Sequence, residues 1–373
     1  MTRRVPLAAV LREWGRIGAI GFGGPPAHVA LLRDLVVDRR SWIDAKEFED
    51  ANAACGLLPG PASTQLAIYC AHRVAGVAGA ILGGLAFILP GLALILVLAA
   101  GSLSGSPPEW LLALAAGAGA AVVPVVVHAG VMLGRSMRGA GFAYAAAGAA
   151  ATILVGPYVV LVLLACGLVE LARRRAPRLG VHLWPLLVPL AAYGASELPA
   201  LAWTAFKVGA LSYGGGFVIV PLMQGDAVDA YDWMTQAEFL NAVAFGQLTP
   251  GPVTQTVAVV GYAASGASGF FLAALVAFLP SFLVILLGGR RFQALRESAR
   301  ARAFLDGAGP AAIGAIVGAA VPLAAGLDEV WMVAVAVVAA VALLLRRAPV
   351  LVLLAGAVSG LTGVLLLGLE VPG

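Results

Sequence analysis

Charge is what this chain of 373 residues has least of. Asp, Glu, Lys and Arg together make up 11% of it, against about 25% in a soluble domain, so a water-facing globular surface of ordinary area cannot be built. Cysteine is scarce as well. Cys55, Cys70 and Cys166 sit in apolar surroundings without metal-ligand spacing, which argues against a disulfide framework or a metal centre. The histidines His28, His72, His128 and His182 are scattered. No nucleophile–base pair or phosphate-binding loop can be read, so enzymatic chemistry is poorly supported and no cofactor is expected. An uncharged leader core is also missing, because Arg12, Glu13 and Arg16 fall where a signal peptide needs apolar residues.

What is abundant is apolar sequence. Hydrophobic residues reach 61% and the mean hydropathy is +0.97. They are gathered in runs near the roughly 20 residues that cross a bilayer core. The expectation is an all-α polytopic membrane protein, with 47 glycines letting helices approach closely through small-residue faces. Spans are expected at about 76–100, 110–133, 139–156, 157–172, 183–203, 267–288, 303–325, 330–346 and 348–368. The net charge of +4 comes from short basic clusters between these runs. Such clusters set topology, and no nucleic-acid partner is expected.

Two stretches stand apart: LLPGPASTQ (57–65) and QLTPGPVTQ (247–255). The first proline of each triplet ends a helix, the glycine lets the chain turn, and the second proline suits a new helix start. Each stretch predicts a re-entrant hairpin of two half-helices meeting at a break. Amides of the new helix face the gap and carry partial positive charge, which favours an anion. Paired breaks in two halves are the best sequence pointer to a transporter's substrate site.

The second half repeats the first. Trp42 matches Trp233, 191 positions on, and the same offset pairs Arg16 with Lys207, Gly18 with Gly209 and Gly23-Gly24 with Gly214-Gly215. Glu47 pairs with Glu238, and Pro59-Gly60-Pro61 with Pro250-Gly251-Pro252. After the loss of one residue, Leu89-Pro90 matches Leu279-Pro280. The repeats read as inverted because their loops exchange charge: 33–46 holds Arg33, Arg39, Arg40 and Lys46, whereas 224–237 holds Asp226, Asp229 and Asp232 and no basic residue. The expected organisation is an N-terminal repeat over 1–175, a basic linker and connecting helix over 176–204, and a C-terminal repeat over 205–373. The N-terminus is placed inside and the C-terminus outside.

Candidate substrate-binding residues follow from the breaks and the symmetry. Arg16 and Lys207 are cations just before Gly-rich segments, where a charge in the membrane usually faces a cavity or partner; the plainer reading is snorkelling to opposite surfaces. Gly23, Gly24, Gly214 and Gly215 allow close approach of a ligand or of a neighbouring helix. Pro59, Gly60, Pro61, Pro250, Gly251 and Pro252 make the breaks. Ser63, Thr64, Gln65, Thr254 and Gln255 offer donors to oxyanion oxygens or satisfy the broken backbone themselves. Asn52 and Asn241 are supporting candidates. Glu47, Glu49, Asp50 and Glu238 are proton-coupling candidates, with helix-start charge pairing as the plainer role for Glu47 and Glu238.

FGGPPAH (22–28), RRSW (39–42), LLPGP (57–61) and FILPG (87–91), with SYGGG (212–216), LTPGP (248–252) and FLP (278–280), resemble the chromate ion transporter family in its long, two-domain form. The resemblance covers nearly the whole chain, although Gly216 stands where the first half has Pro25. It implies a multi-pass protein of the bacterial inner membrane that exports chromate on the proton-motive force, and it carries over to Gly23, Gly24, Pro25, Pro59, Gly60 and Pro61 and their second-half matches. The expected partners are an oxyanion and the lipid bilayer, with a homodimer left open. Sulfate or another oxyanion is the alternative substrate, and a lipid-carrier flippase or a membrane scaffold the alternative class.

Overall fold

The computed structural model describes residues 5–56, 58, 60–135, 137–174, 197–212, 217–288 and 298–370. All regular structure among them is helical. The first half holds α1 (Leu7–Ile20), α2 (Pro25–Arg33), α3 (Ala45–Cys55), α4 (Ala62–Ser102), α5 (Glu109–Gly134), α6 (Gly141–Leu154) and α7 (Val159–Arg173). The second holds α8 (Glu197–Leu211), α9 (Ile219–Gln224), α10 (Gln236–Leu248), α11 (Thr256–Gly288), α12 (Ala299–Gly318), α13 (Ala320–Ala324), α14 (Val330–Leu344) and α15 (Pro349–Leu367). A π-helical turn follows α2 at Asp34–Arg39 and α9 at Gly225–Ala230, 191 positions apart like the sequence repeat.

A straight helix of 41 residues, the length of α4, would run about 60 Å at 1.5 Å per residue, twice the roughly 30 Å of a bilayer core. The chain folds back instead. Gly76 has φ 71° and ψ −159°, a conformation essentially closed to other residues. A Cβ built on Gly83 would stand 2.5 Å from the Ala71 Cβ, and one on Gly84 2.9 Å from Ile68, so limbs 62–75 and 77–102 pack face to face. Gly266 (φ 60°, ψ −147°) turns α11 in the same way, and Gly261 meets Gly269 across that turn. The sequence-predicted spans 76–100 and 267–288 therefore begin at these turns.

Six described helices are long and apolar enough to cross a membrane: Ala62–Ser102, Glu109–Gly134, Gly156–Arg173, Val253–Gly288, Arg302–Ala324 and Pro349–Leu367. The segments expected at 139–156 and 330–346 form the shorter apolar helices α6 and α14. At 14 and 15 residues they measure about 21–22 Å, less than a bilayer core. Most of the segment expected at 183–203 lies outside the described residues.

The halves interlock through small residues. On α5, Gly117 meets Gly356 and Gly360 of α15 so closely that a Cβ would lie 2.2 Å from the Gly356 carbonyl oxygen. On α12, Gly314 and Gly307 press likewise on Ala145 of α6 and Cys166 of α7. Each half's long helix is thus clasped by the last two helices of the other half. α5 and α12 themselves run antiparallel, since Gly130 meets Val317 while Gly134 meets Ile313. These contacts need glycine and alanine because carbonyl oxygens of one helix touch the Cα atoms of the next.

Candidate functional site

The start of α3 lies beside the end of the first limb of α4, where Arg73 Nη2 donates to Glu47 Oε2 at 2.9 Å and the Tyr69 hydroxyl to Oε1 at 3.2 Å. The two therefore form a hairpin with the first break at its tip. Gly60 occupies the tip at φ 115° and Gly251 its counterpart at φ 90°. Pro61 is the N-cap of α4 and Pro252 that of a 3-10 turn, Val253–Gln255, which precedes α11. Both prolines thus sit one position before the helix start expected for them. The Gln65 amide donates to the Pro61 carbonyl and the Gln255 amide to that of Pro252, each at 3.0 Å. The Gln65 amide therefore does not point into the gap as expected, because the hydrogen-bond ladder has already begun at the proline carbonyl; the amides of Ser63 and Thr64 precede it. Pro59, Gly214 and Gly215 lie outside the described residues.

Each tip is seated on the other half. A Cβ on Gly60 would stand 3.2 Å from the Gly209 carbonyl oxygen on α8 and 3.3 Å from Ser281 Oγ on α11. On the other side, Gly91 of α4 leaves no room for a Cβ beside the Pro250 carbonyl, and the Gly251 N–H donates to the Gly21 carbonyl at 3.1 Å. Gly23 and Gly24, at φ 99° and 70°, turn the chain between α1 and α2, and Gly24 faces Val253. The helix pairs beneath the tips are built alike: Gly18 abuts the Phe87 carbonyl as Gly209 abuts that of Ala277.

The side chains at and beside the breaks are polar, uncharged and buried. Ser63, Thr64, Gln65, Thr249, Thr254, Gln255, Thr256 and Ser281 are all buried. Part of this set holds the breaks together. Gln255 Nε2 donates to Thr249 Oγ1 at 2.7 Å and to the Pro250 carbonyl at 3.0 Å, and the Ser63 hydroxyl meets His28 Nδ1 at 3.1 Å. The Thr64 and Ser281 hydroxyls and Gln255 Oε1 have no hydrogen-bond partner among the described residues, which is costly for buried groups unless something occupies the gap.

The charged candidates fall in unlike surroundings. Arg16 is exposed and lines a cavity of about 180 Å³ with Glu13, Asp34 and Arg39. Lys207, its repeat partner, is buried, ion-paired to the equally buried Asp226, and lies 5.8 Å from the Trp203 ring centre. Thr204 donates to the same carboxylate. Asn241 is buried against Gly119 of α5, and Asn52 is half-buried. Among the carboxylates, the Arg73 guanidinium holds the Glu47 carboxyl below the ordinary carboxylate range. Glu238 closes a capping box with Thr235. Exposed Glu49 lies 3.7 Å from Arg33, and Asp50 is half-buried on α3.

Sequence reasoning passed over three residues that the fold brings to these groups. His28 lies in the Gly-rich motif, Ser281 directly after the matched Leu279-Pro280, and Asp226 in the stretch read as an acidic loop, where it is instead buried in the π-helical turn. The last two had a readable signal, a polar group at a position where the repeat leads one to expect none.

Relatives are similar to the chain over most of its length. The chain is 32% identical over 328 residues to the chromate transport protein of Cupriavidus metallidurans, covering 83% of this chain and 80% of the relative. It is 30% identical over 322 residues to the probable chromate transport protein of Synechococcus elongatus, at 83% and 82% coverage. The chromate transport protein of Pseudomonas aeruginosa is 29% identical over 339 residues, at 83% and 79%. No solved structure matches. The family description "Chromate transporter" matches residues 8–171 and then 199–361, in step with the duplicated motifs, and this multi-pass membrane protein belongs to the chromate transporter family.

Proposed function

We propose that the protein is a secondary active transporter that exports chromate from the cytoplasm across the bacterial inner membrane, driven by the proton-motive force. One observation carries the reading: two buried, uncharged, donor-rich breaks, each seated on the opposite half. A tetrahedral dianion needs donors and positive potential without a fixed counter-charge that would hold it too tightly. Each half-helix N-terminus supplies about half an elementary charge, so two breaks supply about one. Thr64, Thr254 and Ser281 add hydroxyls, and Arg16 adds attraction at the exposed cavity. Lys207 is already balanced by Asp226 and in this reading shapes α8 beside Gly209.

The α3–α4 and α10–α11 hairpins are read as re-entrant. α3, at 11 residues, reaches only about 16 Å. Antiparallel packing of the equivalent helices α5 and α12 favours inverted repeats, with boundaries near 1–175 and 205–373 and alternating access by rocking of one repeat on the other. Glu47, Glu49 and Glu238 are held in ion pairs or a helix cap, which argues against their carrying protons across.

The test is chromate accumulation in inverted vesicles under an imposed proton gradient, with sulfate as competitor. Gradient-driven uptake that is lost in Gly60→Val and Gly251→Val proteins of normal abundance is the expected result. Movement of sulfate without chromate would keep the architecture and overturn the substrate. If neither moves, a lipid-carrier flippase or a scaffold replaces the transport reading.

A further inference from the structure

His28 joins the two breaks. Its imidazole is fully buried, with the ring edge-on to Phe87 at 5.0 Å. Nε2 lies 2.9 Å from the Gly21 carbonyl, which can only accept, so Nε2 carries a hydrogen and donates. The same carbonyl accepts the Gly251 N–H of the second break. On its other side, Nδ1 faces the Ser63 hydroxyl in the first turn after the first break.

The protonation state of the ring dictates what Ser63 shows to the gap. In neutral imidazole Nδ1 holds a lone pair, so the Ser63 O–H must donate to it, leaving only lone pairs for the break. In imidazolium both nitrogens donate. Nδ1–H then fills a Ser63 lone pair, and the hydroxyl hydrogen is free to turn toward the break. One proton taken from solvent onto Nδ1 makes Ser63 a donor and places a positive charge one side chain away. No covalent bond other than that N–H is made.

We propose that His28 is a positioning residue that links proton uptake to oxyanion binding at the first break, acting through the Ser63 hydroxyl. The inference rests on reading that break as an oxyanion site. The arrangement belongs to one half alone, since the repeat places Ile219 where His28 stands and Thr254 where Ser63 stands. Several charged and titratable groups on the elements packed against α2 are engaged elsewhere, Tyr69 of α4 with Glu47 among them, and Asp38 of the π turn and Cys70 of α4 make no hydrogen bond to the His28 ring. Glu13 of α1 pairs with Arg12 and Arg40, Asp34 with Arg39 in the π turn, and Arg73 of α4 with Glu47. Arg16 lines the outer cavity. Neither these nor His72 of α4 nor Arg33 of α2 makes a hydrogen bond or ion pair with the ring. Imidazole is the side chain that titrates nearest neutral pH; burial pushes this one below its ordinary value, so its proton is gained on the acid side, and a bound dianion one side chain away works against that push.

The experiment is calorimetric chromate binding to the purified full chain from pH 5 to 8, a range extended to the acid side because burial lowers the His28 pKa, in two buffers of different ionisation heat. Wild-type affinity is expected to rise toward acid pH, by at most about ten-fold per unit for one linked proton, with proton uptake on binding. Chromate itself takes up protons toward acid pH, so the difference between wild type and His28→Gln is the readout. The glutamine amide can still donate to Gly21 but cannot titrate, and its profile is expected to lose both the extra slope and the extra proton. Ser63→Ala keeps the ring and removes the relay, and is expected to lose most of the same difference; it carries the test should His28→Gln fail to fold. A wild-type slope in either variant overturns the inference while leaving the oxyanion site standing. Absence of wild-type binding at every pH overturns the site reading and this inference with it.

Discussion

Removing one member of the Lys207–Asp226 pair strands a full charge where both side chains are sealed from solvent. Such a loss costs roughly 3–5 kcal/mol, whereas replacing both partners with apolar residues is often neutral. Lys207→Met and Asp226→Leu are each expected to lower unfolding stability in detergent by about that amount, and the double variant to recover most of it. The Glu47–Arg73 pair at the hairpin's outer end behaves differently. Because Arg73 lowers the Glu47 pKa, its contribution is complete above the ordinary carboxylate range and fades only as pH falls through the lowered value. Glu47→Gln should therefore reduce thermal stability by the same amount at pH 6 and pH 8, and leave the pH profile of transport unshifted. The repeat symmetry by itself did not name these partners. Arg16 and Lys207 occupy matched positions, yet what each meets depends on residues 35 and 226, where one half has Leu and the other Asp.

At the scale of elements, the two glycine turns decide whether α4 and α11 are hairpins or over-long rods. Gly76→Ala and Gly266→Ala each force a side chain into a backbone region reserved for glycine, at a cost of about 1–3 kcal/mol. Melting temperatures of the single variants should fall, and the double variant should fall by nearly the sum, because the sites lie in separate turns. Much of this level was legible beforehand. Proline and glycine act through covalent geometry, so the Pro-Gly-Pro breaks and the starting points of the spans at 76 and 267 could be read from one chain. The short length of α6 and α14 could not, because hydropathy reports what a helix tolerates and packing decides where it stops. The 3-10 turn at Val253–Gln255 was hidden for a related reason: the same proline chemistry opens either kind of turn.

Across the whole molecule, the close contacts of α5 with α15 and of α12 with α6 and α7 make each half the other's support. Separately produced segments 1–175 and 205–373 are expected to give no monodisperse species in detergent, while co-production should restore a complex that elutes like the intact chain. Two stable separate halves would overturn this. The duplication was plain in the motifs, but sequence similarity between halves carries no information about which half a helix leans on. That exchange also sets a timetable for manufacture. About 240 residues separate Gly117 from Gly360, and a ribosome adding ~5–20 residues per second needs roughly 12–50 s to cover them. Throughout that interval the glycine-lined face of α5 waits in lipid for a helix not yet made. A face of glycine and alanine can wait in this way, since it offers hydrocarbon neighbours no stranded polar side chain and keeps its groove vacant for the last helix to arrive.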